Sequence, residues 1–400
     1  MAIASHMPVI PSGKTYVLAI GKAGAAMAQA FEARWPLAAP LEGLAITRYG
    51  HGCQCQRIRV IEASHPVPDT VGHLAAQQAL DEVTALKNED LFVCLVSGGG
   101  SSLLSLPAPT ISLADKQTVN RLLLRSGLAI DQMNCVRKHL SAVKGGKLAL
   151  AAQPAQTHTI AISDVPGNAL SVIASGPTVP DETTRQQALD ICLNLPGTPD
   201  DVIDWLRTKE SETPKDNDFT GSHHAVVAIT PEDCFTALID NLANQELATI
   251  YLGADIEGEA KEIAKAHAKQ ALRLAQALSK PTLILSGGET SVTMNSASNK
   301  SRGGRNTEYL LSLFIELKGH PQIFALAADT DGIDGSEDNA GAFFGPQDWQ
   351  RAKAQQLSPD AALDAHDSYG FFQKLTTLFV TGPTRTNIND FRAILIQPAS

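Results

Sequence analysis

Residues 91–104 read LFVCLVSGGGSSLL. Leu91 to Val96 is an unbroken apolar run, the pattern of a strand buried on both faces as in a parallel sheet. Ser97, Gly98, Gly99, Gly100, Ser101 and Ser102 follow at once, and then an apolar run compatible with a helix. Consecutive glycines let a backbone turn sharply and approach a ligand with no Cβ in the way. Backbone N–H groups at such a strand-to-helix corner bind anions, and serine hydroxyls add donors. A tight turn that merely needs glycine would look the same in this stretch alone.

The surrounding chain repeats the device. Tyr16 to Ile20 is a short buried strand closed by Gly21, Lys22, Ala23 and Gly24, with an alanine-rich helix from about Ala25 to Arg34. Leu44–Thr47 and Ile58–Glu62 read as further strands, and SHPVPD (64–69) as a turn stiffened by its prolines. His65 in that turn reads as structural rather than as a base. A helix over Gly72–Leu86 leads into the glycine corner, so strands alternate with helices and βαβ units with a parallel sheet follow. From Ser112 to Ala152 the pattern is helical, with Arg137, Lys138, Lys144 and Lys147 around Gly145-Gly146. Thr157–Ile162 is a strand ending at Ser163-Asp164.

Residues 195–222 are polar and rich in Pro, Gly, Asp and Thr, which places a domain boundary there and gives units 12–221 and 222–400. The second half restarts with a strand at His224–Ile229, and Thr282–Leu285 runs into Ser286-Gly287-Gly288-Glu289, a second strand-to-glycine corner. Ile323–Ala327 ends in ADTDGIDG (328–335), Leu378–Val380 reads as a last core strand, and Arg392–Ile396 as an edge strand. Ligands of parallel sheets bind beyond the carboxyl ends of strands, where all these polar clusters fall.

The 400 residues suffice for two domains with sizeable cores, and the net charge of −10 argues against a nucleic-acid surface. No apolar run approaches the roughly 18 residues of a membrane span, and no signal peptide is apparent. Six cysteines without a C-x-x-C pair suit a reduced, cytoplasmic protein. Met1–Met7 reads as an appended leader rather than as part of the fold. No P-loop motif occurs, and Gly21-Lys22-Ala23-Gly24 is not the dinucleotide fingerprint, while the second strand ends in Thr47 where a ribose-binding acid would stand.

Lys22 and Arg305 both open helices, the unfavourable end for a cation unless an anion binds there. Glu289, Asp329, Asp331 and Asp334 follow strands and could hold Mg²⁺, although ordinary turn chemistry explains an Asp-Gly pair equally well. Asp164 is a candidate to orient or deprotonate a substrate hydroxyl.

The motifs AIGKAGAAM (19–27), SHPVPD (64–69), LVSGGGSSLL (95–104), NCVRKHLSAVKGGKLA (134–149), SDVPGNALSVIASGPTVPD (163–181), LSGGETSVT (285–293), GGRNTEYLL (303–311), AADTDGIDG (327–335) and TGPTRTN (381–387) resemble, in order, those of the glycerate 2-kinases, whose C-terminal half is often called the MOFRL domain. Some members of that family carry the label hydroxypyruvate reductase. The resemblance implies two α/β domains with largely parallel sheets, a Rossmann-like N-terminal and a MOFRL-type C-terminal one, with the active site in the cleft between them. It implies transfer of the γ-phosphoryl of ATP to the 2-hydroxyl of D-glycerate with Mg²⁺, and catalytic roles for Lys22 and Arg305; beside these, Asp164 is the expected residue at the acceptor hydroxyl. Ser97, Gly98, Gly99, Gly100, Ser101, Ser102, Lys144, Asn306, Thr384 and Arg385 are the expected substrate- or phosphate-binding residues, and Glu289, Asp329 and Asp331 the expected metal ligands. The partners it implies are small molecules, with neither nucleic acid nor membrane, and a homo-oligomer is compatible with it.

Three departures stand out. Little chain precedes Tyr16, so one face of the first sheet is expected to be less covered or to be covered by another chain. Arg385 stands where family members commonly have glycine, and TPED (230–233) replaces a G-x-N-type turn. A reductase and a non-catalytic anion-binding relative are the competing readings.

Overall fold

The computed structural model describes residues 2–294 and 301–398. The chain divides into two compact units, Met1–Ile229 and Thr230–Ser400.

In the first unit the strands are β1 (Thr15–Ile20), β2 (Leu41–Arg48), β3 (Ile58–Ala63), β4 (Leu91–Val96), β5 (Gln156–Ile162) and β6 (His223–Ile229). They form one sheet in the order β3-β2-β1-β4-β5-β6, and every pairing is parallel. The order reverses between β1 and β4, the topological switch point at which open α/β sheets bind ligands. All six residues of β1 and of β4 are buried, as their continuous apolar runs require of central parallel strands. Helices α1 (Gly24–Glu32) and α2 (Thr70–Thr84) make the crossovers, and Asp69 caps α2 by accepting from the Gly72 N–H at 2.9 Å. A four-residue turn α3 (Gly100–Leu103) follows β4, and then α4 (Leu113–Arg125), α5 (Ile130–His139), α6 (Lys147–Ala152), α7 (Arg185–Leu193) and α8 (Asp200–Arg207). Helices α4, α5, α7 and α8 close a satellite core around Val119, Leu123, Val136, Leu189 and Trp205.

Two expectations change here. Strand β6 pairs with β5, so the first unit runs to Ile229 rather than ending at 221. The polar stretch that suggested a boundary lies within the first unit, and its edge strand comes after it. The segment before Met7 is also part of the fold: Ala2–His6 form a 3₁₀ turn, Ile3 is buried, and the His6 carbonyl lies 2.8 Å from His158 Nε2 on β5.

The second unit contains α9 (Pro231–Leu242), β7 (Ala248–Tyr251), β8 (Gly258–Glu259), α10 (Ala260–Ala275), β9 (Thr282–Ser286), β10 (Thr290–Ser291), α11 (Arg305–Leu317), β11 (Ile323–Asp329), β12 (Gly341–Phe344), α12 (Asp348–Ala354), α13 (Pro359–Asp364), α14 (Ser368–Leu375), β13 (Leu378–Phe379) and β14 (Asp390–Ile396). The TPED departure is a helix start: Thr230 Oγ1 accepts from the Asp233 N–H, Asp233 accepts from the Thr230 N–H, and Pro231 occupies the first turn of α9.

The second sheet runs β13-β12-β11-β14-β9-β7. Parallel pairing, which holds throughout the first sheet, is confined here to β7–β9, and the other pairings are antiparallel. Strand β14 lies in the middle of this sheet and β13 at its edge, the reverse of the sequence expectation. Arg392 lies in the interior of this sheet: it is 1% exposed and donates to Asp390 at 2.6 Å and to the Gly287 carbonyl at 2.8 Å. Alanines 260, 264, 268, 271 and 275 line one face of α10 and let it pack tightly in the core with α11.

Candidate active site

The first-unit site begins at the switch point. Gly21 has φ +110°, and a Cβ there would lie 2.3 Å from Ser97 Oγ, so only glycine allows the two strand ends to meet. Lys22 then donates its N–H to the Gly98 carbonyl at 2.8 Å. Ser97 is fully buried: its hydroxyl donates to the Ile20 carbonyl at 3.2 Å and accepts from the Ala23 N–H at 3.1 Å. It fastens β4 to the β1 corner rather than facing a ligand. The N–H groups of Gly100 and Ser102 donate within the turn, to Ser97 and Gly99, and Ser102 Oγ also donates to Gly99 at 3.1 Å. The N–H groups of Gly98, Gly99 and Ser101 have no acceptor among the described residues, so half of the expected row of donors remains available.

Two side chains flank these donors. At Gly99 (φ +78°) a Cβ would lie 3.0 Å from the His65 ring and 3.3 Å from Lys22 Cγ. Gly99 is thus flanked by the stem of the Lys22 side chain and by the His65 imidazole. Ser101 is exposed, with its hydroxyl bonded to that of Ser175. Asp164 is half-buried just beyond β5, the strand next to β4.

The basic cluster of the α5–α6 segment splits. Lys138 pairs with Asp181 at 3.0 Å in the interior, and Lys147 donates to the Ser141 carbonyl at 2.6 Å. Burial comes first among the causes acting on Asp181 and works against its charge, but Lys138 and Thr183 outweigh it and hold the carboxyl below its ordinary value. Lys144 donates to the carbonyls of Ser101 (2.7 Å) and Leu104 (3.1 Å), tying α3 down. Lys144, Lys116 and Arg137 line a cavity of about 450 Å³ that also reaches His65, Gly99, Ser101 and Ser102. Sequence reasoning passed over Lys116 as a site residue and read His65 as a turn residue; neither carries a local motif, and only the packing of α4 and the 64–69 turn around the glycine corner brings them in.

In the second unit Arg305 opens α11 and is held on three sides. Nε donates to Asp390 at 2.8 Å, one terminal nitrogen to Asp329 and the other to Glu289, both at 3.0 Å. Burial opposes its charge, but the Asp390, Asp329 and Glu289 carboxylates outweigh it and hold its proton more tightly than in a free arginine. The anion that the helix-end argument demanded is thus supplied by the protein itself. Asp334 caps the same helix, accepting from the Asn306 and Thr307 N–H groups at 2.9 and 2.8 Å. Burial pushes its pKa up against those bonds. Asn306 donates to Asp390 (2.7 Å) and Asp334 and is fully buried, so it braces the cluster instead of reaching a ligand. Thr384 bonds to the 330–331 backbone, and Arg385 is exposed with φ +62°. That left-handed backbone favours glycine, which accounts for the common family residue without invoking a ligand.

Among the described residues no three His, Cys, Asp or Glu side chains converge on an ion position. Glu289 and Asp329 face Arg305, and Asp331 accepts from the Ile333 N–H at 2.8 Å. Asp390 and Arg392, the buried pair at the head of β14, were missed because their strand was read as an edge.

The comparisons follow the same division. Residues 3–207 match a domain family described as a domain of unknown function (DUF4147), and residues 282–390 match the MOFRL family. A relative from Agrobacterium vitis bearing the name "Putative hydroxypyruvate reductase" is 46% identical, over 99% of this chain and 90% of its own length. A glycerate 2-kinase from Pyrococcus horikoshii is 36% identical, over 94% of this chain and 86% of its own. The crystal structure of a glycerate kinase from Thermotoga maritima superposes with a TM-score of 0.86 at 32% identity, covering 99% of this chain and 94% of that one. This chain belongs to the glycerate kinase family built from a DUF4147 domain and a MOFRL domain.

Proposed function

We propose that this protein is a glycerate 2-kinase, which transfers the γ-phosphoryl group of ATP to the 2-hydroxyl of D-glycerate and releases 2-phosphoglycerate and ADP. The observation that carries the reading is Lys22, whose side-chain stem packs beside Gly99 at the switch point of the first sheet. In the reaction the glycerate 2-oxygen bonds to the γ-phosphorus as the bond to the β,γ-bridging oxygen breaks, and ADP carries away the electron pair. Such transfers rest on positioning and charge stabilisation more than on covalent help from the enzyme. Lys22 is assigned to the charge on the transferring phosphoryl group. Asp164 is assigned to the acceptor hydroxyl, whose proton it takes. Arg305 is assigned to an anionic group of a substrate, which it meets by exchanging one of its carboxylates; Glu289, the exposed one, is the partner it gives up most cheaply.

Mg²⁺ keeps several waters and is usually held by one or two carboxylates plus substrate phosphates. Asp329 and Asp331 suit an ion that arrives on the nucleotide rather than one resident in the protein, and the ion supplies charge neutralisation when bound. None of the cysteines forms a disulfide, which supports a reducing compartment, and the cytoplasm is the proposed location. No described helix is long and apolar enough to cross a membrane.

The reductase name of one relative does not carry over to the proposal. The first sheet has the dinucleotide-binding strand order, but its first turn holds Lys22 in place of the glycine fingerprint, and Thr47 is fully buried where an acid would take the ribose. The test is an end-point reaction with ATP, Mg²⁺ and D-glycerate, resolved by NMR. Accumulation of 2-phosphoglycerate is expected; folded protein giving no phosphoglycerate overturns the proposal.

A further inference from the structure

The cavity beside the glycine corner contains an electrostatic imbalance. Lys116 on α4, Arg137 on α5 and Lys144 after α5 all line it. Lys116 Nζ donates to the Leu106 carbonyl at 3.2 Å, Arg137 Nε to the Asn120 side-chain oxygen at 3.0 Å, and Lys144 to the Ser101 and Leu104 carbonyls. Among the described residues none of the three is paired with a carboxylate. Every contact is to a neutral oxygen, which satisfies the donor but leaves the charge. Burial and then the charges of Lys116 and Arg137 pull the Lys144 pKa well down, and burial takes Lys116 down to about 7, with Lys147 adding to it. Three basic groups brought together with no internal counter-charge hold their protons only at a cost, which an anion in the cavity relieves.

The rest of the lining narrows the ligand. Leu113, Val119, Leu123 and Val136 make the remaining wall mainly apolar. The volume of about 450 Å³ falls in the usual range for a drug-sized ligand, about 300–1,000 Å³, and is several times what a three-carbon hydroxy acid fills. A cavity lined by apolar side chains together with three basic groups suits a heteroaromatic base joined to a chain of phosphates. We infer that this cavity, between the glycine corner and helices α4 and α5, binds the adenine nucleotide, with Lys116, Arg137 and Lys144 neutralising its phosphates. The inference rests on the kinase reading for the identity of the nucleotide, and it assigns that ligand to the first unit.

Calorimetry with ADP on the full-length protein tests it, comparing wild type with Arg137→Met and Lys116→Met, each checked for its fold by circular dichroism and thermal melting. Each substitution is expected to weaken ADP at least about tenfold, as for loss of a desolvated charge contact, while KM for D-glycerate changes less than twofold. A second measurement needs no variant: amine acylation of wild type near neutral pH, read by mass spectrometry, should show Lys116 protected by ADP and by inorganic tripolyphosphate but not by D-glycerate. Unchanged ADP affinity in both folded variants, or protection of Lys116 by glycerate alone, overturns the assignment. Wild-type turnover alongside such unchanged affinity removes the site and leaves the kinase. ADP protection of Lys116 in a protein that makes no phosphoglycerate supports the site while the kinase reading falls.

Discussion

The two units carry opposite electrostatic errors. Around the first glycine corner the surplus is positive: Lys116, Arg137 and Lys144 share a cavity and have only neutral oxygens for company. Around the second the surplus is negative: Glu289, Asp329, Asp390 and Asp334 gather about Arg305 and Arg392 at the head of α11 and β14. The corners are built alike, an apolar strand running into Ser-Gly-Gly, yet one is left short of anions and the other is filled with them. Identical backbone devices therefore do not imply identical chemistry. The side chains delivered by distant segments set the sign of each site.

The largest expected effect comes from breaking the second cluster. Arg305→Ala leaves three carboxylates facing one another, one of them, Asp390, wholly buried. It should lower stability by about 3 kcal/mol, as for loss of one partner of a buried ion pair, and kcat at least about tenfold; urea melts and steady-state assays read the two effects. Lys22→Ala should separate them. Lys22 is only half-buried, so kcat should fall at least about tenfold with a melting temperature close to wild type. Near-normal turnover would remove Lys22 from the reaction.

The cationic side of the comparison is sharpened by pH. Lys116 has a folded pKa near 7, below the value it has in the unfolded chain. Between those two values the unfolded chain binds more protons, so stability rises with pH across roughly pH 7 to 10. Urea midpoints at pH 7 and 9 should show the rise, and Lys116→Met should reduce it without abolishing it, because Lys144 and Lys147 are also held below their ordinary values by burial. An anion restores the proton, so ADP binding near pH 8 should take protons up, read as a calorimetric heat that varies with buffer ionisation enthalpy.

Two smaller effects complete the set. Glu289→Gln removes the exposed arm of the Arg305 clamp, and stability should change by less than about 1 kcal/mol; a loss as large as that of Arg305→Ala would mean the three carboxylates are equivalent. Arg385→Gly relieves a left-handed φ of +62° at an exposed position. A stabilisation of up to about 1 kcal/mol is expected, partly offset by the greater freedom of glycine in the unfolded chain, with activity unchanged.

Much of the fold was legible because it is local. The runs at Tyr16–Ile20 and Leu91–Val96 could only be central parallel strands, and both are buried along their whole length. The glycine of the first corner was legible because no side chain could replace it at 2.3 Å from Ser97. The site was legible only as a neighbourhood. Ser97 and Asn306 were expected to meet a ligand, and each is buried and bonded instead to backbone or buried carboxylate. A hydroxyl or amide next to a glycine turn has the same local signature whether it faces solvent or the interior, and burial is settled by elements far away in sequence.

By itself the sequence determined the alternation of strands and helices, the two glycine corners, Lys22 and Arg305 at helix starts, and the kinship spread over nearly the whole chain. These depend on periodicity, on backbone freedom and on motifs a few residues long. Only the tertiary structure decided that β6 completes the first sheet, that β14 is central, that Arg305 is already surrounded by carboxylates, and that Lys116 joins Arg137 and Lys144 in one cavity. Each of those depends on which distant segments share a desolvated space. A charge in the sequence has a sign but no neighbours, and its effect on pKa, pairing and ligand preference comes from the neighbours.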